Sequence, residues 1–251
     1  MKQRILAFDL ESTPLISYTW GIWEQNVIEV QQDSHMLCYA YRWLDEKKTH
    51  IVALPDFKNY KKDKTDDSAL VQSLWDLFDQ ADIILAHNGD RFDIKYSNAR
   101  FLAHGLTPPS NYQTIDTLKI AKSRFKFNSN KLNSLGEMLK VGVKVETGGF
   151  ALWLGCMAGE AKSWKLMKKY NIQDVDLLIA VYEKLKPWAK NHPVVNIEED
   201  RAVCSRGCNG TVQKRGFEAS RTGGKRQRWI CMECGANMYS SIKGKFPLKS
   251  S

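Results

Sequence analysis

The order of apolar segments along the first 190 residues limits this chain to a few architectures. Three β-rich runs come first, and helical patterns then alternate with compact strands before two further helices. The predicted strands span residues 3–10, 36–44, 50–54, 83–86 and 113–115, and the predicted helices span residues 66–80, 92–104, 130–139 and 160–185. This order predicts an α/β fold in which helices flank a mixed sheet. Residues 12–34 carry Trp20 and Trp23 between the first two strands and are expected to form a loop at the active site.

The charge of the chain is concentrated at one end. Residues 201–251 hold 11 of the 37 Lys/Arg and 2 of the 28 Asp/Glu, so they account for the whole net charge of +9. A neutral body with a basic tail favours a polyanionic partner that is met through the tail. The sequence has no apolar run of 18 residues and no apolar segment typical of a signal peptide. We therefore expect no membrane span and a cytoplasmic location, in a cell or in a virus-infected host.

Two acidic residues end the first predicted strand. Asp9 and Glu11 are two positions apart, so both side chains lie on one face of the strand. Neighbouring carboxylates repel each other unless a cation lies between them. Mg²⁺ and Mn²⁺ prefer oxygen ligands, and a pair of such ions can stabilise both oxygens of a phosphodiester displacement. Taken alone, this pair also fits a solvated strand end.

Two later segments add acids that could join this pair. Asp93 follows the strand at residues 83–86 in the segment HNGDRFD, where Asp90 is the competing acid and helix capping is the simpler explanation. Tyr170 and Asp174 are four residues apart on the long predicted helix, so they share one face. Asp176 lies about 200° around the same helix from that position and is expected to point away. A tyrosine at the edge of the core beside surface acids would give the same pattern.

Together these segments resemble a known family. FDLES at residues 8–12, HNGDRFD at 87–93 and YNIQD at 170–174 resemble the three exonuclease motifs of the DEDD, or DnaQ-like, superfamily, in the same order. The Tyr-x-x-x-Asp spacing is similar to the DEDDy branch, which includes the proofreading domains of family A and family B DNA polymerases. Residues 131–149 look like those of phage-encoded and YprB-like members. The resemblance covers about residues 3–186 and implies a ribonuclease H-like fold.

The resemblance also implies a role for each motif residue. Asp9 would bridge two Mg²⁺ or Mn²⁺ ions, and Glu11 and Asp174 would hold the ion that generates the nucleophile. Asp93 would contact the other ion through water, and Tyr170 would orient or help deprotonate the attacking water. None of the five histidines lies near Asp174 in the sequence, which disfavours the histidine-containing DEDDh branch. The long loop before Asp93 departs from the usual second motif.

Four cysteines near the C-terminus predict a structural zinc site. Cys204 and Cys208 form one close pair, and Cys231 and Cys234 form the other. Paired thiolates bind Zn²⁺ tetrahedrally, and so small a unit needs the metal in order to fold. The first pair has one residue more than the common CxxC spacing. We expect domain 1–190, a linker at 191–200 and a zinc ribbon at 201–251.

Basic and aromatic residues lie between the two cysteine pairs. Cations neutralise phosphates and aromatic rings stack on bases, so this segment is a candidate nucleic-acid interface. A charged surface that only aids solubility is the simpler alternative, and ribbons also dock proteins such as replication or repair partners. The candidate contact residues are Lys214, Arg215, Arg221, Lys225, Arg226, Arg228 and Trp229.

The sequence thus favours a 3′–5′ exonuclease that hydrolyses single-stranded or frayed nucleic acid, DNA before RNA, with two metal ions. Trp20, Trp23, Phe125 and Phe127 are candidates to stack on terminal bases. One alternative is a structure-selective endonuclease on the same scaffold. The other is a non-catalytic nucleic-acid-binding or polymerase-partner protein, which the presence of all four acids and Tyr170 disfavours.

Overall fold

A computed structural model provides the coordinates. It describes residues 4–23, 26–143, 146–190, 192–193, 204, 210–219, 225–240 and 249–250. Cys208, Arg221 and most of the predicted linker at 191–200 lie outside the described residues. Among the helices that are described, none is both long and apolar enough to cross a membrane.

A five-stranded mixed sheet organises the N-terminal part of the chain. Its strand order is β5-β4-β1-β6-β7. The central strand β1 pairs antiparallel with β4 and parallel with β6, and β7 extends the parallel side. The strands are β1 (Ile5–Ser12), β4 (Met36–Trp43), β5 (His50–Ala53), β6 (Ile83–Ala86) and β7 (Gln113–Asp116). The sheet confirms the mixed topology that the sequence predicts.

Helices cover both faces of this sheet, and the side chains of the central strand β1 are buried on both sides. Leu6, Phe8 and Leu10 belong to one apolar cluster, which includes residues of α1 and α2, while Ile5 and Ala7 belong to a second cluster with residues of α3, α4 and α6. Alternate residues of a strand point to opposite faces, so each face of β1 faces its own core. The helices are α1 (Ser68–Asp79), α2 (Asp93–Ala103), α3 (Thr117–Arg124), α4 (Leu132–Met138), α5 (Ala151–Ala158) and α6 (Ala161–Leu185).

Between β1 and β4 the structure differs from the loop expected there. A hairpin of β2 (Ile16–Tyr18) and β3 (Glu29–Gln32) extends from the sheet. Its apolar residues stay exposed, and Trp20 and Trp23 are 88% and 78% accessible. Because neither face of the hairpin is buried, its sequence lacks the apolar–polar alternation that identifies a half-buried strand. Helix α5 was also absent from the predicted elements.

A second, four-stranded sheet lies near the C-terminus, with the order β11-β10-β9-β8 and antiparallel pairing throughout. Its strands are β8 (Val212–Ala219), β9 (Lys225–Cys231), β10 (Asn237–Ser240) and β11 (Lys249–Ser250). Among the residues described in this part of the chain, the buried apolar cluster is small and consists of Cys204, Val212, Cys231, Ala236 and Met238. So few buried side chains supply little hydrophobic stabilisation, which agrees with the need for a further crosslink.

Candidate active site and cysteine cluster

The end of β1 turns two acids toward helix α6. Asp9 and Glu11 continue the series of Ile5 and Ala7, whose side chains contact the cluster that includes α6. Both acids are half-buried, at the point where β1 extends beyond its pairing with β6. The period of two along a strand therefore delivers both carboxylates to one face, as the sequence predicts.

Helix α6 brings a third carboxylate to the same place. Asp174 is almost fully buried, with 1% of its surface accessible. One carboxylate oxygen from each of Asp9, Glu11 and Asp174 lies within 4.8 Å of the other two. Three carboxylates this close strongly disfavour a fully ionised state in the absence of a cation. The donor set fits a hard divalent cation, because such ions take carboxylate oxygens.

Asn171 orients Asp9 and is a site residue that the sequence reasoning missed. It is fully buried on α6, and its side-chain amide donates to the Asp9 carboxylate at 2.7 Å and to the Asp9 backbone carbonyl at 3.2 Å. The Cys38 thiol contacts the other end of the amide at 3.7 Å. Asn171 and Asp174 are three residues apart, so the helical period could have placed them on one face.

Tyr170 lies beside the three acids with its ring half-buried. Burial, together with the negative charges of Asp174, Glu11 and Asp9, raises the pKa of the Tyr170 phenol far above its ordinary range. The ring packs edge-on against Trp153 of α5 at 6.2 Å between centroids. The phenol is therefore held protonated and can donate a hydrogen bond within the acidic cluster.

Asp93 begins α2 and is 6% accessible, but it is not part of the three-acid group. Burial raises the pKa of its carboxyl to about 6, and the charge of Asp116 adds to this effect, while backbone hydrogen bonds, one of them involving Leu10, oppose it. Asp90, the competing acid, instead forms an ion pair with Lys119 at 2.6 Å. The geometry favours Asp93 over Asp90 as the acid available to a ligand.

The loop that presents Asp93 is tightly constrained. Asn88 has a positive φ of 66°, and its backbone amide donates to the buried Asp116 carboxylate at 2.9 Å. A side chain at Gly89 would place its Cβ 2.4 Å from the Cβ of Ala86. Asp116 also accepts a hydrogen bond from the Leu118 amide and so caps α3.

Asp176 points away from the cluster, which confirms the helix-face prediction. Its carboxylate accepts a hydrogen bond from the Thr49 hydroxyl and lies 3.4 Å from the Arg42 guanidinium. Arg42 lies on β4 and Thr49 directly before β5, toward the β5 edge of the sheet and away from the end of β1. The ion pair and the hydrogen bond give Asp176 a structural role.

The four aromatic residues that were predicted to stack on terminal bases have different environments. Trp20 and Trp23 are exposed on the hairpin, whereas Phe125 and Phe127 stack on each other at 4.8 Å between centroids. Phe125 also meets Trp188 edge-on, and both phenylalanines pack against the second apolar cluster. The two phenylalanines thus pack with the fold, and only the tryptophans are presented broadly to solvent.

Three of the four predicted zinc ligands meet in the C-terminal sheet. Ligand atoms of Cys204, Cys231 and Cys234 all lie within 4.8 Å of one another, and the Cys204 and Cys234 sulfurs are 3.6 Å apart. Sulfur atoms bound to one Zn²⁺ at about 2.3 Å in tetrahedral geometry lie roughly 3.8 Å apart, so the arrangement fits zinc. Cys208, the fourth predicted ligand, falls outside the described residues.

The described basic residues of this sheet partly cover its own aromatic rings. Lys214 lies over Trp229 at 5.6 Å, and Arg226 lies over Tyr239 at 4.6 Å. Arg215, Lys225 and Arg228 are exposed. Trp229 is half-buried and packs against the small buried cluster, so it supports the sheet.

Comparison with known proteins agrees with this architecture. A protein-family model described as the RNase_H superfamily matches residues 6–186. Over 140 residues the chain is 27% identical to a DNA polymerase III PolC-type from Ureaplasma parvum serovar 3, a stretch that covers 53% of this chain and 9% of the polymerase. The chain thus corresponds to a small part of that relative's length.

A solved structure shares the fold. The family B DNA polymerase from the hyperthermophilic archaeon Pyrobaculum calidifontis matches with a TM-score of 0.52 and 16% identity, over 74% of this chain and 25% of the polymerase chain. With the family match and the mixed sheet flanked by helices, this confirms the predicted ribonuclease H-like fold.

Proposed function

Since the chain belongs to the RNase_H superfamily, we propose that it is a nuclease that removes nucleotides from the 3′ end of single-stranded nucleic acid. The observation that carries the proposal is the convergence of Asp9, Glu11 and Asp174 within 4.8 Å at the end of the central strand. Superfamily membership and the two polymerase relatives support a nuclease that acts on nucleic acid. The 3′–5′ direction rests on the resemblance of the three motifs to DEDD exonucleases.

The acids of the site would hold two Mg²⁺ or Mn²⁺ ions. Asp9, Glu11 and Asp174 would hold one ion, and Asp9 would hold the other together with Asp93, which would act largely through water. When bound, such ions stabilise the charge on the attacking and leaving oxygens of a phosphodiester. Asn171 donates one hydrogen bond to the Asp9 carboxylate and one to the Asp9 backbone carbonyl, so that this acid faces the site in one orientation.

Tyr170 acts as a hydrogen-bond donor in this proposal. Burial raises the pKa of its phenol, and the acids around it raise that pKa further, because a phenolate would add a negative charge to the cluster. A protonated phenol can orient a water molecule or a phosphate oxygen by donating to it. We therefore propose that Tyr170 positions the attacking water and does not itself accept the proton of that water.

DNA is the preferred substrate in this proposal, because both relatives carry the name of a DNA polymerase. In the C-terminal sheet, Zn²⁺ bound by Cys204, Cys208, Cys231 and Cys234 would play a structural role and hold the basic strands together. That unit would contact either the substrate or a replication or repair partner. We propose the domain limits 1–190 and 201–251, joined by a linker at 191–200.

The test uses purified full-length protein with single-stranded DNA and RNA labelled at either end, in Mg²⁺, Mn²⁺ or EDTA. We expect a 5′-labelled DNA strand to shorten progressively in either metal and to stay intact in EDTA. A circular single strand should survive. Digestion of the circle would indicate an endonuclease, and metal-independent binding without hydrolysis would indicate a non-catalytic protein.

A further inference from the structure

A groove borders the candidate active site on the side of β6 and α3. It has a volume of about 710 Å³ and reaches Asp9. That volume lies within the range of roughly 300–1,000 Å³ typical of sites that take a small-molecule ligand. Most of the residues that line it are of polar or cationic type, and those relevant here are His87, Asn88, Lys122, Asn130, Lys131 and Asn133.

The wall of this groove is the most basic stretch of an otherwise neutral body. Residues 117–131 contain five Lys/Arg and no Asp/Glu, although residues 1–200 as a whole carry equal numbers of each sign. Lys119 is engaged by Asp90, and the Arg124 side chain donates to the Trp188 carbonyl at 2.7 Å. Lys122 and Lys131 are exposed and line the groove. The two lysines thus place positive charge next to a cluster of carboxylates.

The backbone that carries the two lysines is braced. His87 at the end of β6 contacts the Thr117 hydroxyl at 2.8 Å through one ring nitrogen and the Asn130 carbonyl at 3.0 Å through the other. The Asp116 cap fixes the start of α3, from which Lys122 projects. The lysine side chains are therefore flexible cations on a fixed wall, which is an arrangement that suits phosphate groups along a strand.

We propose that this groove is the path of the substrate backbone, along which Lys122 and Lys131 neutralise the phosphates next to the scissile bond. The inference rests on the proposed nuclease function and extends it to the nucleotides beyond the metal site. Cations opposite a chain of phosphates give charge complementarity, and they offset the repulsion between the substrate and the acids. The side chains along the groove are mainly cationic, amide or hydroxyl groups, whereas the centre of a protein interface is depleted of charged residues.

The test compares the full-length protein with the double variant Lys122→Gln/Lys131→Gln. Binding of fluorescein-labelled oligo(dT) of four and eight nucleotides is measured by anisotropy in Ca²⁺, at several salt concentrations. We expect about tenfold weaker binding of both lengths. Each phosphate contact on a single strand contributes about 0.7 to the log–log salt slope, so the slope should fall by about 1.4.

The matched control is Lys47→Gln/Lys48→Gln, which removes the same charge from the exposed turn between β4 and β5, on the opposite edge of the sheet. This control should leave affinity and slope as in the wild type. Equal losses in both double variants would overturn the inference, because net charge alone would then explain them. So would an unchanged affinity in the groove variant.

Hydrolysis of the same strands in Mg²⁺ separates this inference from the proposed function. If the wild type degrades the strands and the groove variant binds them normally, the groove assignment is wrong and the nuclease assignment stands. If the wild type never degrades a strand but the groove variant alone loses affinity, the proposed function is wrong and the groove remains a nucleic-acid site.

Discussion

At the scale of single residues, the partners of each acid decide which acids are available to a cation. Asp90 is paired with Lys119, and Asp176 is paired with Arg42 and Thr49. Asp9, Glu11 and Asp174 instead face one another. A cation bound by this second set relieves mutual repulsion, whereas the paired acids have little to gain from it.

We expect Asp9→Ala, Glu11→Ala, Asp93→Ala and Asp174→Ala each to abolish hydrolysis of a labelled single strand. The carboxylates are proposed to hold metal, so the fold should persist and circular dichroism should stay native. Asp176→Ala is the matched control on α6 and should remain active. An inactive Asp176 variant beside an active Asp174 variant would overturn the assignment of the site.

Tyr170→Phe removes only the phenolic hydroxyl and keeps the packing against Trp153. We expect turnover to fall by roughly 10²–10³-fold, the usual loss when one hydrogen-bond donor aimed at the reacting atoms is removed. Mn²⁺ binding, measured by calorimetry, should be unchanged, because the phenol is not proposed as a ligand. Loss of metal binding, or full activity, would contradict this role.

Asn171→Ala tests a positioning residue that acts through Asp9. Without the amide, the Asp9 carboxylate loses its hydrogen bond at 2.7 Å and is free to rotate. Groups that orient metal ligands typically contribute 10–100-fold to metal affinity or activity, so we expect a loss of that order in Mn²⁺ affinity. Gln173→Ala, on the same helix but bonded to the Val143 carbonyl, should bind Mn²⁺ normally. Equal effects of the two substitutions would indicate a general effect on α6.

At the scale of elements, one buried acid connects three parts of the site region. Asp116 ends β7, caps α3 and accepts the Asn88 amide from the loop that leads to Asp93. Replacing one side chain should therefore loosen both the helix start and the loop.

Asp116→Ala should lower the free energy of unfolding by about 1–3 kcal/mol, because it removes a helix cap and leaves the partly buried Asn88 amide without its acceptor. Urea denaturation measures this change. Asp76→Ala on the exposed face of α1 is the control and should change stability by less than about 0.5 kcal/mol. A smaller effect at position 116 than at position 76 would show that the hydrogen bonds of Asp116 do not support the loop.

At the scale of the whole molecule, two regions carry excess positive charge. The net charge of +9 lies in residues 201–251, but residues 117–131 form a second basic segment beside the active site. Net charge alone predicts that the tail provides all of the attraction for nucleic acid. The groove is a second source of attraction, so we expect the tail to determine the affinity for long strands and the groove to determine the affinity for short ones.

Truncation after Asp200 should preserve hydrolysis of short oligonucleotides and weaken binding of long ones. The formal +9 of the tail falls to about +7 when four thiolates hold one Zn²⁺. If half of these charges meet phosphates, the salt slope for a long single strand should flatten by about 2–3. Anisotropy measurements on long and short strands check this, and zinc chelation should act in the same direction. Unchanged affinity for long strands would favour a protein-docking role.

The sequence alone was sufficient for the features that depend on local periodicity. The period of two along β1 placed Asp9 and Glu11 on one face, and the helical period separated Asp174 from Asp176. Buried strands and amphipathic helices carry strong apolar patterns, so the mixed sheet and its flanking helices could be predicted. The close cysteine pairs likewise predicted a cluster, because thiolates that share a metal recur at short spacing.

Only the tertiary structure decided the features that depend on distant contacts. Nothing in the neighbourhood of Asn171 in the sequence indicates its bonds to Asp9, which lies 162 residues away. The exposed hairpin has no buried face, so no apolar period marked it. The groove arises because β6, α3 and the start of α4 meet beside Asp9. The same packing places Lys122 and Lys131 along the groove. Local patterns determine which face a side chain occupies, and the packing of the elements determines what that face meets.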